Sequence, residues 1–427
     1  MRSVIIICSV IGTIYAILKF YQALFLVGLV KKIKYKKTKN LHTYGICVAA
    51  RNEAKVIENL LESLEKQDYD KNRIAIFVVA HNCTDNTAQI VREAAAKGRI
   101  RTYVYEYNNK NERTKGYALR YLFNQIEKDF GSTKVFDGYF VFDADNVLRD
   151  DYITRMNEAF DSGKDAVVSF RNSKNVAQNW ISFSYAMHWM RTCLFDSRGK
   201  DLLHLSCRVQ GTGFLFANHF IDNGWNYVNL TEDRAFCTDV VVQGHRVGYC
   251  EDAKFYDEQP NNLKIAFRQR IRWAKGHLQS LAEFGPKLLR NIFKFNKNSF
   301  RTYDTFWLNF PSHIESGIRK IISWTFKIII AILAYNFWGG VWGIVKVLII
   351  DLAKFWLLKM VQAMVVCIYY RNEIENMNIF KLWFYIFMFP LFDKIGKWSM
   401  YIALFNHIEW KTIPHDYVVD VDKFSKK

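Results

Sequence analysis

The stretch Ser3–Val30, SVIIICSVIGTIYAILKFYQALFLVGLV, carries one charge, Lys19, in 28 residues. As a tilted helix it is long enough to cross a hydrocarbon core of roughly 30 Å, so any fold for this chain must give its first helix an apolar surrounding. A secretory signal would have a shorter apolar region and a small-residue cleavage site. Here the run passes directly into KKIKYKKTK, so residues 1–31 are expected to form an uncleaved transmembrane helix. Six lysines within 31–39, against Arg2 alone before the run, place the following domain in the cytoplasm and the amino terminus outside.

Hydrophobic residues fill 50% of the 427 positions, yet the mean hydropathy is −0.09. Apolar residues are therefore segregated, and a chain of this length should bury them in at least two regions. A net charge of +18 is compatible with contacts to a phosphate backbone. The cations cluster beside apolar segments, however, at 31–39, 268–275 and 287–301, which fits anionic lipid headgroups and positive-inside topology. The partner expected is a phospholipid membrane and no nucleic acid. Eight cysteines show no CxxC and no Cys/His cluster at zinc spacing, so they read as reduced core thiols. The sequons at Asn82 and Asn229 should stay unmodified in a cytoplasmic domain.

From about residue 42 short β-rich runs alternate with helical patterns. YGICVAA (44–50), IAIFVVA (74–80), RTYVYEY (101–107) and GYFVFDADN (138–146) read as strands. AKVIENLLESLEKQ, TDNTAQIVREAAAK and KGYALRYLFNQIEK read as the helices between them. Near-continuous apolar strands separated by helices predict a mostly parallel sheet covered on both faces. Ligands of such sheets bind beyond the carboxyl ends of the strands. This α/β domain is assigned to 42–260. Residues 261–318 mix cations with Ile, Phe, Trp and Leu, as interfacial amphipathic helices do. Transmembrane helices are expected within 319–407, at about 319–337, 340–370 and 379–405, before a polar tail at 408–427. Charges inside these spans (Lys346, Asp351, Lys354, Lys359, Asp393, Lys394, Lys397) predict a polar conduit, with Asp351 and Lys354 as an i, i+3 pair. The alternative is that part of the segment lies flat on the surface.

Three constellations could carry chemistry. Asp143 and Asp145 close the strand YFVFDAD; two apart on a strand, both carboxylates face one side and can approach one divalent cation. The same pair also reads as turn-forming aspartates. Thr231-Glu232-Asp233 opens the helix TEDRAFCTDVVVQG, where Thr231 reads as a cap and the acids offset the dipole. Facing the cleft, Asp233 could instead take a proton from an attacking hydroxyl. In RQRIRWAKGH (268–277), Gln269, Arg272 and Trp273 fall on one helix face, offering an amide, a bidentate guanidinium and a stacking indole. A basic helix contacting phospholipid, with Trp273 as its interface anchor, is the other reading.

In order, VAARNE (48–53), HNCTD (81–85), KGYAL (115–119), DAD (143–145), GTG (211–213), TED (231–233) and QRIRW (269–273) resemble the motifs of the family 2 glycosyltransferases. The likeness is to the membrane-embedded processive type, including cellulose, hyaluronan and poly-N-acetylglucosamine synthases. It implies a GT-A fold, a Rossmann-like α/β domain, joined here to an α-helical transmembrane bundle. It further implies an inverting enzyme using a UDP-sugar donor and Mg²⁺ or Mn²⁺. Carried over, Ala50, Arg51, Glu53 and Asp85 would line the nucleoside, and Lys115 would reach the diphosphate. Asp143 would contact the nucleotide and share the metal with Asp145. Gly211, Thr212 and Gly213 would border the acceptor. Asp233, with Glu232 beside it, would be the base. Gln269, Arg272 and Trp273 would hold the diphosphate and the acceptor end, leaving Arg268, Arg270 or Lys275 for other phosphate or headgroup contacts.

Two features depart from the family. Ala80, His81 and Asn82 stand where an acidic residue often binds uracil, and no counterpart of the gating loop follows QRIRW. The expected function is synthesis of a β-linked polysaccharide from UDP-glucose, UDP-N-acetylglucosamine or a similar donor. The product would leave through a multi-pass bundle in the plasma membrane. A single transfer to a lipid-linked acceptor is the alternative, and a nucleotide-binding scaffold or transporter the rival of another class.

Overall fold

The computed structural model describes residues 2–310, 325, 329, 330, 332, 333, 335, 340–375, 377–396, 398–409 and 412–425. Eight strands form one sheet: β1 (Tyr44–Ala50), β2 (Ile74–His81), β3 (Arg101–Tyr107), β4 (Gly138–Asp143), β5 (Val147–Leu148), β6 (Ala166–Ser173), β7 (Phe214–Ala217) and β8 (Val247–Asp257). Their order is β3-β2-β1-β4-β7-β6-β8-β5. The β3-β2-β1-β4 half is parallel, as the uninterrupted apolar runs predict. The other half is mixed, because β7 runs antiparallel to both β4 and β6 while β6 and β8 are parallel.

Strand alternation divides the apolar residues between two cores. Tyr44, Ile46 and Val48 join Ile76, Val78, Phe140 and Phe142 beneath helices Ile57–Glu65 and Tyr152–Asp161. Cys47, Phe77, Val79 and Val141 join Leu119 and Phe123 of helix Lys115–Phe130 on the opposite face. Such side chains each contribute about 1.5–3 kcal/mol on burial. Cys47, Cys193, Cys207, Cys237 and Cys250 are buried free thiols, and Cys83 and Cys367 are partly buried ones.

Among the described residues one helical run, Ser9–Val30, is long and apolar enough to cross a membrane. The expected span at 319–337 lies outside the described residues apart from 325, 329, 330, 332, 333 and 335. The expected spans at 340–370 and 379–405 form helices Val341–Tyr369, Ile379–Gly396 and Trp398–Phe405. Their charges set them apart from an uninterrupted apolar span. Asp351 and Lys354 are both exposed, whereas Lys359 is half-buried and pairs with Asp393 at 2.7 Å, with Arg191 3.4 Å from the same carboxylate. The helices bury Ala363, Val366, Tyr385 and Phe389 against Met187 and Met190 of helix Trp180–Arg191, and leave Leu357, Ile368, Trp383 and Phe387 exposed.

The predicted interfacial region forms helices Leu263–Ile292 and Ser299–Asn309, with 311–318 outside the described residues. The long helix begins at Asn262, whose side chain accepts from the Lys264 and Ile265 amides. It is held between other helices, burying Ala266, Ala274, Gly276, Ser280, Phe284 and Leu288.

Candidate active site

A cavity of about 800 Å³ opens beyond the carboxyl ends of β1, β2, β4 and β8, where an α/β sheet places its ligands. At one end lie Ala50, which ends β1, and Arg51 and Glu53 beyond it, with His81 closing β2. Buried His81 stacks on Tyr107, and its Nε2 lies 2.7 Å from the Glu112 carbonyl. Asp85 does not line the cavity. Its carboxylate accepts from Ala54 N at 3.2 Å and from Thr87 N and Oγ1, so it braces the loop carrying Glu53.

Asp143 ends β4, but Asp145 sits in the following turn, so strand alternation does not place the two carboxylates on one side. Asp145 lines the cavity and is held by one tertiary and one local bond: its Oδ2 accepts from Glu258 N at 2.7 Å and its Oδ1 from the adjacent Asn146 Nδ2 at 3.2 Å. Burial would raise its pKa, but His415, Lys174 and the Glu258 amide hold it below the usual carboxylate value. Thr212, predicted at the acceptor, is buried instead against this turn, accepting from Asp143 N at 2.8 Å and donating to Asn146. Gly213 also stands off from the cavity. With φ +66° and Phe255 where a Cβ would be, only glycine fits there.

Lys115, the first residue of its helix, donates to Asp143 and to the Gly211 carbonyl at 2.9 Å. Burial pulls its pKa down, but Asp143 and Glu232 outweigh that and hold it above the ordinary lysine value.

Thr231 stands at the N-cap of helix Glu232–Val242, yet its hydroxyl makes no capping bond and is buried without a hydrogen-bond partner among the described residues. Gly276 of the long helix packs so close that a Cβ there would lie 2.3 Å from Thr231 Oγ1. The threonine therefore serves as the contact surface between two helices. Glu232 and Asp233 occupy the first turn, where the helix dipole favours anions. Burial pushes Glu232 up to about 7, with Lys115 opposing, and raises Asp233 against the pull of Arg234, Lys115 and Arg272.

Gln269, Arg272 and Trp273 all line the cavity, as their shared helix face predicts. Gln269 Oε1 accepts from Tyr185 at 2.9 Å, and Trp273 meets Tyr185 and Trp189 edge-on. Among the described residues Arg272 makes no hydrogen bond and no ion pair, although Glu232, Asp143 and Asp233 act on its charge. Burial lowers its pKa. The neighbouring cations are engaged in a different way from the headgroup contacts expected. Arg270 donates to the Phe392 carbonyl at 2.9 Å and stands 3.6 Å over the Phe392 ring, while Lys275 donates to the Ala403 carbonyl at 3.2 Å. They hold carbonyls near the ends of the carboxy-terminal helices.

Several residues of the site escape the motif reading. Asp257 ends β8 and Glu258 and Gln259 follow it, and extending the strand-end rule past 256 would have found them. Asp257 pairs with Arg171 at 3.1 Å through Oδ2, while its Oδ1 is buried without a hydrogen-bond partner among the described residues; burial pushes the pKa of Asp257 up to about 6. His415, on the tail, sits 3.0 Å from both oxygens of Glu53. Burial lowers its pKa, but Asp145 and Glu53 outweigh that and raise it to about 10. Asp143, Asp145 and Asp257 line one cavity with carboxylates, the hard oxygen donors that Mg²⁺ and Mn²⁺ take.

Residues 42–276 match the family described as glycosyltransferase like family 2. The chain is 23% identical to a probable glycosyltransferase, YdaM, of Bacillus subtilis over 67% of its own length and 71% of that protein. It is 24% identical to the β-monoglucosyldiacylglycerol synthase of Nostoc, over 58% of this chain and 51% of the relative. With the poly-β-1,6-N-acetyl-D-glucosamine synthase of Staphylococcus aureus the figures are 25%, 54% and 53%. The chain thus spans about half the length of the latter two. The fold is also that of a mannosyltransferase from Pyrobaculum calidifontis, solved with GDP-mannose and Mn²⁺, at a TM-score of 0.55 and 16% identity over 87% of this chain and all of that one.

Proposed function

The chain belongs to glycosyltransferase like family 2, and on that premise we propose that it is an inverting enzyme moving a hexose from a UDP-sugar to an acceptor held at the membrane. The observation that carries this reading is Arg272: a guanidinium without a protein partner among the described residues, across the cavity from Asp143, Glu232 and Asp233. A cation in that position is suited to an anionic ligand.

Asp233 removes the proton from an acceptor hydroxyl, and the freed oxygen forms a bond to the anomeric carbon. The bond from that carbon to the phosphate oxygen breaks on the opposite side, and its electron pair leaves with UDP, giving inversion. Arg272 and Lys115 stabilise the charge that develops on the diphosphate, while Trp273 offers a face to the acceptor sugar. When bound, Mg²⁺ or Mn²⁺ on Asp145 and Asp143 supplies further charge screening there.

A lipid acceptor receiving one sugar is supported by Lys19, Gln22 and Phe25, which bring the first apolar run to the wall of the same cavity. Elongation of a β-linked polysaccharide leaving between the carboxy-terminal helices is supported by Asp393, Ser399 and Met400, which line it from the other side. In both readings the catalytic domain faces the cytoplasm at the plasma membrane, which the lysines at 31–39 support.

Purified protein given UDP-sugars with Mg²⁺ or Mn²⁺ should release UDP, and release with no common donor overturns the reading. Asp233→Asn should lower turnover by about 10³-fold while sparing UDP binding; a nucleotide-binding scaffold would have no turnover to lose. Mass analysis of the product separates a glycolipid carrying one sugar from a chain.

A further inference from the structure

The tail beyond residue 411 crosses the catalytic domain and is fastened along its length. Glu258 accepts from the amides of Asp416 at 3.1 Å and Tyr417 at 2.8 Å. Asn59 both donates to the Val419 carbonyl at 2.9 Å and accepts from the Val419 amide at 3.3 Å. Val421 is buried, and the Phe424 ring lies 4.2 Å from that of Tyr256. The pairs Lys55–Asp416 and Lys66–Asp422, both 2.6 Å, are exposed and add little. The buried contacts, which need one register, fix the path of the segment.

That path delivers His415 to the wall of the cavity, beside Thr412 and Ile413. Its Nδ1 stands 3.0 Å from both oxygens of Glu53, the residue after β1 that Asp85 and Thr87 hold in place. Glu258, which grips the tail through its side chain, also donates its amide to Asp145. One residue thus ties the tail to the turn that carries Asp145.

We propose that residues 412–424 form a wall of the donor site and that His415 is a nucleotide-binding residue, with Nδ1 anchored on Glu53 and Nε2 left for an oxygen of the nucleoside diphosphate. The proposal rests on the reading that this cavity takes a UDP-sugar. A carboxylate on one ring nitrogen orients an imidazole and fixes which nitrogen is offered to a ligand. The donor site is then assembled from two segments 362 positions apart.

Calorimetric titration of UDP with Mn²⁺ into the full-length protein tests it. His415→Ala should weaken UDP binding about tenfold, as loss of one such hydrogen bond does, while His415→Gln, which can still reach with a polar atom, should recover most of it. The donor KM should rise in the same ratio with kcat changed less than about threefold, a split that a general loss of structure does not give. Asn59→Ala lies outside the cavity and loosens the tail with the imidazole intact, so it should weaken UDP binding too and expose the tail to protease. UDP affinity within twofold of wild type in both His415→Ala and Asn59→Ala overturns the proposal. A wild-type chain that binds no UDP overturns the donor reading itself, and the proposal with it.

Discussion

Gly276→Ala should cost more in catalysis than in stability. A Cβ at 276 would stand 2.3 Å from Thr231 Oγ1, 2.4 Å from Cγ2 and 2.8 Å from Cβ. Ordinary contact begins near 3.4 Å, so the long helix and the turn carrying Glu232 and Asp233 have to part by about 1 Å. Overpacking of that kind costs about 1–3 kcal/mol, and alanine returns about 1 kcal/mol over glycine inside a helix. The expected net loss is about 0–2 kcal/mol, read as a modest fall in melting temperature of the detergent-solubilised protein. The same separation displaces Arg272 from Asp233, and an error of about 1 Å between catalytic groups lowers kcat on the order of 100-fold. UDP release at saturating donor measures it. Thr231→Ala in the Gly276→Ala background removes two of the three clashes and should recover about tenfold. A variant with wild-type kcat and a raised melting temperature, the outcome for glycine on an open helix face, would refute the close approach as the device that sets this geometry.

Burial raises both Glu232 and Asp233, Glu232 to about 7. A carboxylate accepts a proton only when ionised, so the acid limb of kcat/KM should lie above the ordinary carboxylate range, with activity falling as pH drops through it and levelling off above. Glu232→Gln should move the acid limb to lower pH, and an unmoved limb assigns it to another group. Arg270→Ala removes a hydrogen bond from a charged donor and a cation over the Phe392 ring. It should cost about 2–3 kcal/mol in thermal unfolding, and an unchanged melt would show that the contact carries no load. Chelation should stop UDP release, with Mn²⁺ or Mg²⁺ restoring it to the wild-type chain but not to Asp145→Asn at the same concentration; full activity in excess EDTA would remove the metal from the scheme.

The parallel half of the sheet is legible because YGICVAA, IAIFVVA and YFVF are apolar on both faces and allow no competing period. The antiparallel β7 is four residues long, and its pairing with β4 and β6 depends on contacts between distant segments. The motifs fall at strand ends and on one helix face, so Asp143, Asp233, Gln269, Arg272 and Trp273 line one cavity as the pattern predicts. Local pattern cannot say whether a polar side chain beside the cleft faces it or braces it. Asp85 and Thr212 brace it, through hydrogen bonds to Ala54 and Asp143 that only the folded chain provides. Nor can an amphipathic helix declare its partner: the basic stripe of RQRIRWAKGH has the same spacing against lipid as against the carbonyls of Phe392 and Ala403. His415 lies beyond any periodic argument, since nothing local connects it to Glu53.

Arg270 and Arg272 stand on one turn of one helix, the first gripping the Phe392 carbonyl and the second facing the carboxylates of the cleft. A fragment ending at residue 276 would retain every recognisable motif and lose the seat of the helix that presents the last of them. Replacing the carboxy-terminal helices with an unrelated tether would therefore alter turnover as well as address. In this chain the carboxy-terminal helices are part of the frame that sets where Arg272 stands in the cleft.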